Sequence, residues 1–267
     1  MSRIAGTFAR LRADATPGLV AYVTAGDPDL ARSAEILHAI DAAGADVLEV
    51  GVPFSDPLAD GPVIQRACER ALGAGTTLPS VLELIRDVRA SIAAPIVVFS
   101  YVNPVLRMGA ERFVSAAAAA GVDGVLLLDV PVEETAELRT RLRARAIDPV
   151  FLVSPTTTPA RLGRIAAAGS GFLYAVSRLG VTGARDRLAA DARELVARIR
   201  AVSELPVALG FGISTPAQVH EAARWADAAV VGSALVDVIA AAGSSPAVAA
   251  RAGDFVRALK AGTEVPA

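Results

Sequence analysis

Eight short, continuously apolar runs, separated by longer Ala-, Leu- and Arg-rich segments, constrain this chain most. They are Leu19–Thr24, Asp46–Gly51, Ile96–Tyr101, Gly124–Asp129, Pro149–Val153, Phe172–Ser177, Val207–Gly210 and Ala228–Gly232. They do not alternate apolar with polar residues, which is the pattern of parallel strands covered on both faces. Helical patterns lie between them at Leu30–Asp41, Leu78–Ser91, Glu133–Arg145, Ala192–Val202 and Pro216–Arg224. Thr158-Pro159 and Thr215-Pro216 each place a cap residue before a first-turn proline, and Gln218 completes a capping box with Thr215. Eight strand–helix units in 267 residues predict a closed (β/α)8 TIM barrel, one α/β domain over 1–267. A doubly wound sheet is the structural alternative. An extra N-terminal helix over Arg3–Ala13 is expected to close the barrel bottom. A short extra helix is expected after the eighth strand, where Ala234–Ala242 is apolar and helical in pattern.

The balance of residue types narrows the partners. Apolar residues make up 53% of the chain and charged residues 20%, with a formal net charge of −2. Nucleic acid and anionic membranes both select for a basic patch, so neither is expected as a partner. The most apolar stretch, Phe113–Val132, is interrupted by Gly121, Asp123, Gly124 and Asp129. It reads as an Ala-rich helix followed by a buried strand, not as a membrane span. The Arg-rich start, Met1–Leu19, lacks the continuous apolar run of a signal peptide. Cys68 is the only cysteine, which rules out an intrachain disulfide and a multi-thiolate zinc site. A reducing, cytoplasmic setting suits this.

Catalytic groups of such barrels sit at the C-terminal ends of strands and in the loops that follow. The second strand carries Glu49 amid Val47, Leu48, Val50 and Gly51. Burying a carboxylate there is costly, so Glu49 is either half of an internal ion pair or an acid tuned upward to give and take protons. The next loop, Val52–Pro62, carries Asp56 and Asp60. Asp60 either caps the following helix at Asp60-Gly61-Pro62 or forms, with Glu49, an acid/base pair in two different environments.

The last two strands end in small residues, Gly210-Phe211-Gly212 and Gly232-Ser233. Glycine lets a backbone approach an anion, and a helix N-terminus offers free N–H donors. Together, in the loops after strands seven and eight, these motifs predict a phosphate site. The polar run Ser177–Asp186 reads as a surface loop or as a hinged lid that brings Gly183 to the phosphate. His38 and His220, the only histidines, fall in predicted helices, and Lys260, the only lysine, lies beyond the last strand. A histidine metal site and a Schiff-base lysine are therefore not expected.

Five segments carry a family resemblance: Tyr22–Pro28, Leu48–Pro62, Asp129–Pro131, Ser177–Gly183 and Gly210–Ser214. Through them the sequence resembles the tryptophan synthase alpha chains along nearly its whole length. The resemblance implies a carbon–carbon lyase that cleaves indole-3-glycerol phosphate to indole and glyceraldehyde 3-phosphate. It implies no cofactor in this chain, and a beta-chain partner carrying pyridoxal phosphate, in an α2β2 heterotetramer. It gives Glu49 the role of general acid/base and Asp60 that of acceptor for the indole N–H. It places Tyr22, Phe99, Leu126 and Phe211 around the indole and Tyr174 near the glycerol. Gly183, Gly212 and Ser233 fall at the phosphate, and Tyr101, Thr182 and Gly232 complete the expected substrate-binding set. Three residues depart from the family's frequent choices: Tyr22 for phenylalanine, Phe99 for leucine and Leu179 for serine. Two other readings remain open. One is a different phosphate-binding barrel enzyme of aromatic amino acid biosynthesis. The other is a non-catalytic barrel that only activates a partner.

Overall fold

The computed structural model describes residues 1–176, 185–210 and 212–263, with side chains given outside 185–190. In chain order the elements are α1 (Arg3–Ala13), β1 (Gly18–Thr24), α2 (Leu30–Ala42), β2 (Val47–Gly51), α3 (Pro62–Gly73), α4 (Leu78–Val88), β3 (Ile96–Ser100), α5 (Val102–Met108), α6 (Ala110–Ala120) and β4 (Gly124–Leu127). They continue with α7 (Ala136–Arg143), β5 (Asp148–Val153), α8 (Pro159–Ala168), β6 (Leu173–Val176), α9 (Arg185–Arg200), β7 (Val207–Gly210), α10 (Pro216–Ala223), β8 (Ala228–Val231), α11 (Ser233–Ala242) and α12 (Val248–Lys260). The strands pair in parallel in sequence order, and β8 returns to β1. The predicted barrel is therefore closed, and the doubly wound alternative is excluded.

The pleat sorts each strand's side chains between two cores. Leu19, Ala21, Val23, Leu48, Val50, Ile96 and Val98 face the surrounding helices. Val20, Tyr22, Val47, Val97, Phe99, Leu126 and Val150 fill the barrel interior. Glu49 shares the parity of Val47 and so points inward. Helix α1 plugs the bottom as expected: Ile4 and Phe8 join the interior cluster, and the Phe8 and Phe172 rings lie 5.6 Å apart.

Acidic side chains fasten the strands to one another. Asp46 accepts the Leu19 N–H at 2.8 Å, Asp123 that of Ile96 at 2.8 Å, and Asp227 that of Val207 at 2.8 Å. At the opposite rim Asp129 accepts the Val102 N–H at 2.8 Å. Asp123 and Asp129, which break the apolar run in the sequence, are thus inter-strand clamps. A charged acceptor strengthens each bond and satisfies an N–H at a strand boundary.

Several boundaries differ from the sequence reading. The run expected as one helix over Glu133–Arg145 splits into a 3-10 turn, Val132–Glu134, and α7, with Thr135 between them. The helix expected from Ala192 starts at Arg185, so Arg185 and Asp186 of the expected lid are helical. The helix after β8 has ten residues, and α12 follows it and packs on α2 to complete the outer ring. The predicted caps hold: Thr158 accepts from the Arg161 N–H, and Thr215 and Gln218 form the capping box. No helix of the described residues is long and apolar enough to cross a membrane.

Candidate active site

Glu49 occupies the middle of β2, with Tyr22 opposite it on β1 and Val97 on β3. It has no solvent exposure. Neither carboxyl oxygen has a hydrogen-bond partner, so the ion-pair reading is excluded for the described residues. Its strand neighbours Tyr22 and Val97 are aromatic and aliphatic, and among the described residues no cation offsets the loss of water. Burial alone pushes its pKa up to about 8. At neutral pH the group is mostly protonated.

Asp60 does not cap the following helix. Gly61 is the cap residue of α3 and makes no side-chain cap bond, and Pro62 stands in the first turn. The Asp60 carboxyl instead turns toward β3, where the Tyr101 hydroxyl donates to Oδ2 at 3.0 Å. The same hydroxyl accepts the Ala59 N–H at 2.9 Å. The Tyr101 ring packs on Phe54, centroid to centroid 5.0 Å. Gln65 donates its amide to the Asp60 carbonyl at 3.0 Å, which ties the loop to α3. Burial raises the Asp60 pKa to about 6, and the Tyr101 hydrogen bond opposes that rise. The two carboxyls thus sit in unlike surroundings: one dry and unpartnered, one half-buried and hydrogen-bonded.

Aromatic and aliphatic side chains line the interior beside them. Tyr22 and Phe99 are buried and meet edge to face, 5.2 Å between centroids and 72° between planes. The Tyr22 hydroxyl shares a 3.2 Å hydrogen bond with Thr24 Oγ1 and lies over Gly51, where any Cβ would fall 2.2 Å from it. Leu126 is fully buried next to Phe99 in the β3–β4 register. Tyr174, on β6, is partly exposed at the mouth, and its hydroxyl reaches toward Gly210 on β7. Burial and the nearby carboxyls raise both Tyr22 and Tyr174 well above the usual phenol range, so both are neutral donors.

The expected anion site lies at the ends of β7 and β8. Gly212 has φ +80°, a conformation that a side chain resists. Gly232 caps α11 without a side-chain bond, and Ser233 is exposed as the first residue of that helix. The first-turn N–H groups of a helix have no intrahelical acceptor. Thr182, Gly183 and Phe211 lie outside the described residues, as does the expected lid from Ser177 to Ala184.

Among the described residues no group of three or more His, Cys, Asp or Glu could hold a metal ion. His38 is exposed and bonds Ser91 at 2.6 Å. Lys260 donates to Asp46, outside the barrel mouth. The family resemblance places Tyr101 only among the substrate contacts. Its bonds to Asp60 and Ala59 span 41 and 42 residues, and no local pattern encodes them.

Outside the mouth, Pro53, Phe54, Ser55, Asp56, Asn103 and Pro104 line part of a cavity of about 690 Å³. Nearby, Leu58 and Leu106 are exposed by 89% and 62%. This rim mixes apolar side chains such as Pro53, Phe54 and Pro104 with the polar Ser55, Asp56 and Asn103, and it sits directly outside the Asp60 loop.

Known proteins resemble this chain in sequence and in fold. The family model described as "Tryptophan synthase alpha chain" matches residues 8–264. The tryptophan synthase alpha chain of Geobacter sulfurreducens is 51% identical over 236 residues, 88% of this chain and 89% of its own. That of Geotalea uraniireducens is 48% identical over 99% of this chain and 98% of its own. Among solved structures, the tryptophan synthase of Mycobacterium tuberculosis superposes with a TM-score of 0.90 at 37% identity, covering 99% of both chains. The alpha subunit from Legionella pneumophila gives a TM-score of 0.91 at 34% identity, covering 98% of both.

Proposed function

The chain belongs to the tryptophan synthase alpha chain family, a lyase family, and from that premise we propose that it cleaves indole-3-glycerol phosphate to indole and glyceraldehyde 3-phosphate. The observation that carries this reading is Glu49: a fully buried carboxyl, inside the barrel, with no partner for either oxygen among the described residues. A raised pKa near 8 lets it start the reaction protonated.

The proposed cycle returns Glu49 to its starting state. Glu49 gives its proton to the indole carbon that bears the glycerol chain. The ring becomes a protonated iminium, with its positive charge centred on nitrogen. Asp60, ionised above its pKa of about 6, accepts the ring N–H and stabilises that charge. The Glu49 carboxylate then takes the proton of the adjacent glycerol hydroxyl. That oxygen's electrons form the aldehyde carbonyl, the carbon–carbon bond breaks, and its electron pair returns to the ring as neutral indole. The ring itself is the electron sink, so the step needs no cofactor from this chain.

Tyr22, Phe99, Leu126 and Phe211 are proposed to hold the indole, with Tyr101 at its edge and Tyr174 near the glycerol. Gly212, Gly232 and Ser233, with Thr182 and Gly183 from the lid, are proposed to bind the phosphate, mostly through backbone N–H groups. The departures at Tyr22 and Phe99 fit one another edge to face, which supports an intact aromatic wall. The alternative of another barrel enzyme has no support in the family match. The intact carboxyl pair speaks against a purely activating barrel.

The proposed partner is a beta chain carrying pyridoxal phosphate, in an α2β2 assembly in the cytoplasm. Indole is neutral and apolar, so direct transfer to a partner docked over the mouth would prevent its escape. The exposed Leu58 and Leu106 beside the rim of Pro53, Phe54, Asn103 and Pro104 support docking there. A partner that binds the closed form better than the open one would also raise activity.

The test is direct: the purified chain is incubated with indole-3-glycerol phosphate, and indole and glyceraldehyde 3-phosphate are measured. Equal amounts of both, rising when the beta chain is added, are expected. Absence of both products with and without the beta chain would overturn the reading.

A further inference from the structure

The β2–α3 loop carries Asp60 to the mouth, and one side chain from the end of β3 grips that loop twice. The Tyr101 hydroxyl accepts the Ala59 N–H at 2.9 Å and donates to Asp60 Oδ2 at 3.0 Å. Tyr101 is itself buried, and its ring is held against Phe54, which enters the same loop from β2. A hydroxyl with one hydrogen has one direction in which to donate. Once it accepts from Ala59 and donates to Asp60, both the loop backbone and the carboxyl are oriented. Asp60 Oδ2 is thereby engaged, while Oδ1 makes no hydrogen bond among the described residues.

We propose that Tyr101 is the positioning residue for Asp60: it engages Oδ2, turns Oδ1 toward the substrate's ring nitrogen, and favours the ionised carboxylate that accepts the N–H. This deepens the proposed reaction and rests on it.

The surroundings of Asp60 make this one contact decisive. Besides Tyr101 on the β3 rim, the titratable groups electrostatically coupled to it are Tyr22 on β1, Cys68 on α3 and Tyr174 on β6. All are neutral acids, and none donates a hydrogen bond to it among the described residues. Among the described residues no cation contributes to its titration: burial raises its pKa and the Tyr101 hydrogen bond lowers it. Removing the hydroxyl leaves burial unopposed, so the Asp60 pKa must rise and the carboxylate must become scarcer at neutral pH. The ring of Tyr101 packs equally well without its oxygen, so Tyr101→Phe isolates the hydroxyl.

The experiment compares wild type and Tyr101→Phe as free chains and as complexes with the beta chain. The side-chain carboxyl of Asp60 is followed by carbon-13 NMR from pH 4 to 9, with its signal assigned through Asp60→Asn. Indole release is measured in parallel. The expected result is an Asp60 midpoint shifted upward, and kcat reduced roughly 10- to 100-fold, with thermal unfolding unchanged. An unchanged Asp60 midpoint overturns the proposal, as does a rise in KM alone with kcat and the midpoint preserved, which would make Tyr101 a simple wall of the pocket. If wild type itself releases no indole, the reaction fails, yet the NMR titration still decides whether Tyr101 governs Asp60.

Discussion

Tyr22 stands directly across the β1–β2 pairing from Glu49, so an aromatic ring, not a cation, lies beside the buried carboxyl. That neighbour explains the titration of Glu49: it has lost water and gained nothing in return. An unfolded glutamate titrates near 4.5, whereas this one titrates near 8 in the fold. Between those values the native state holds a proton that the unfolded state has lost. The stability linked to Glu49 is therefore full below the unfolded pKa, and it is lost as pH rises through the folded one. Glu49→Gln, which cannot ionise, should be more stable than wild type at pH 9 by on the order of a few kcal/mol, with the difference shrinking toward pH 5. Urea unfolding across that range measures it. An equal difference at both ends would mean that Glu49 is not held protonated.

The two carboxyls also set a pH window for catalysis. Asp60 must be ionised and Glu49 protonated, so kcat/KM should be bell-shaped, with limbs near 6 and 8. The substrate's phosphate ionises near 6 as well, by the usual second pKa of a phosphate monoester. A methylene-phosphonate analogue, whose second pKa lies above that of the phosphate ester, separates the two, since only the Asp60 limb stays in place. A profile flat from pH 5 to 9 would remove both residues from proton transfer.

The phosphate site is predicted to work through backbone and not through side chains. Gly212 has φ +80°, and Ser233 opens α11. Gly212→Val should raise KM severely, whereas Ser233→Ala should change it less than about 10-fold, in line with the loss of one hydrogen bond. The dephosphorylated substrate should bind far more weakly by calorimetry. Equal affinity for both forms would leave no phosphate site at these helix and strand ends.

The clamp at Asp123 is predicted to matter for stability alone. It accepts the Ile96 N–H at 2.8 Å and pairs with Arg89 at 3.2 Å, far from the mouth. Asp123→Ala leaves the Ile96 N–H without its acceptor and Arg89, still bonded to the Ile92 and Ala94 carbonyls, without its counter-charge, a loss of about 2–4 kcal/mol. Denaturant midpoints should fall while kcat of the folded fraction is kept. A fall in kcat at unchanged stability would contradict that division of labour.

What the sequence made legible follows from the range of each interaction. The eight strands were readable because both faces of a parallel sheet are covered, which writes an unbroken apolar run into the chain. Glu49 was readable because it interrupts such a run. The local cap reading of Asp60 failed because Gly61 and Pro62 start α3 unaided, which frees the carboxyl for Tyr101 on another strand. Asp123 and Asp129 read as breaks in an apolar segment; their roles depend on N–H groups of neighbouring units, Ile96 and Val102, which only the closed barrel brings near. Likewise the start of α9 at Arg185 was hidden because its first three residues, Arg185, Asp186 and Arg187, are all charged and continue the polar run before them in the sequence.

In the proposed cycle Glu49 moves both protons of the cleavage. Single-turnover indole release from indole-3-glycerol phosphate, by wild type and by Glu49→Gln in complex with the beta chain, tests it most directly. The variant should bind the substrate with near-normal affinity and unfold no earlier than wild type, yet release indole at least roughly 100-fold more slowly. A folded Glu49→Gln chain that releases indole within a few-fold of the wild-type rate would remove Glu49 from both proton transfers.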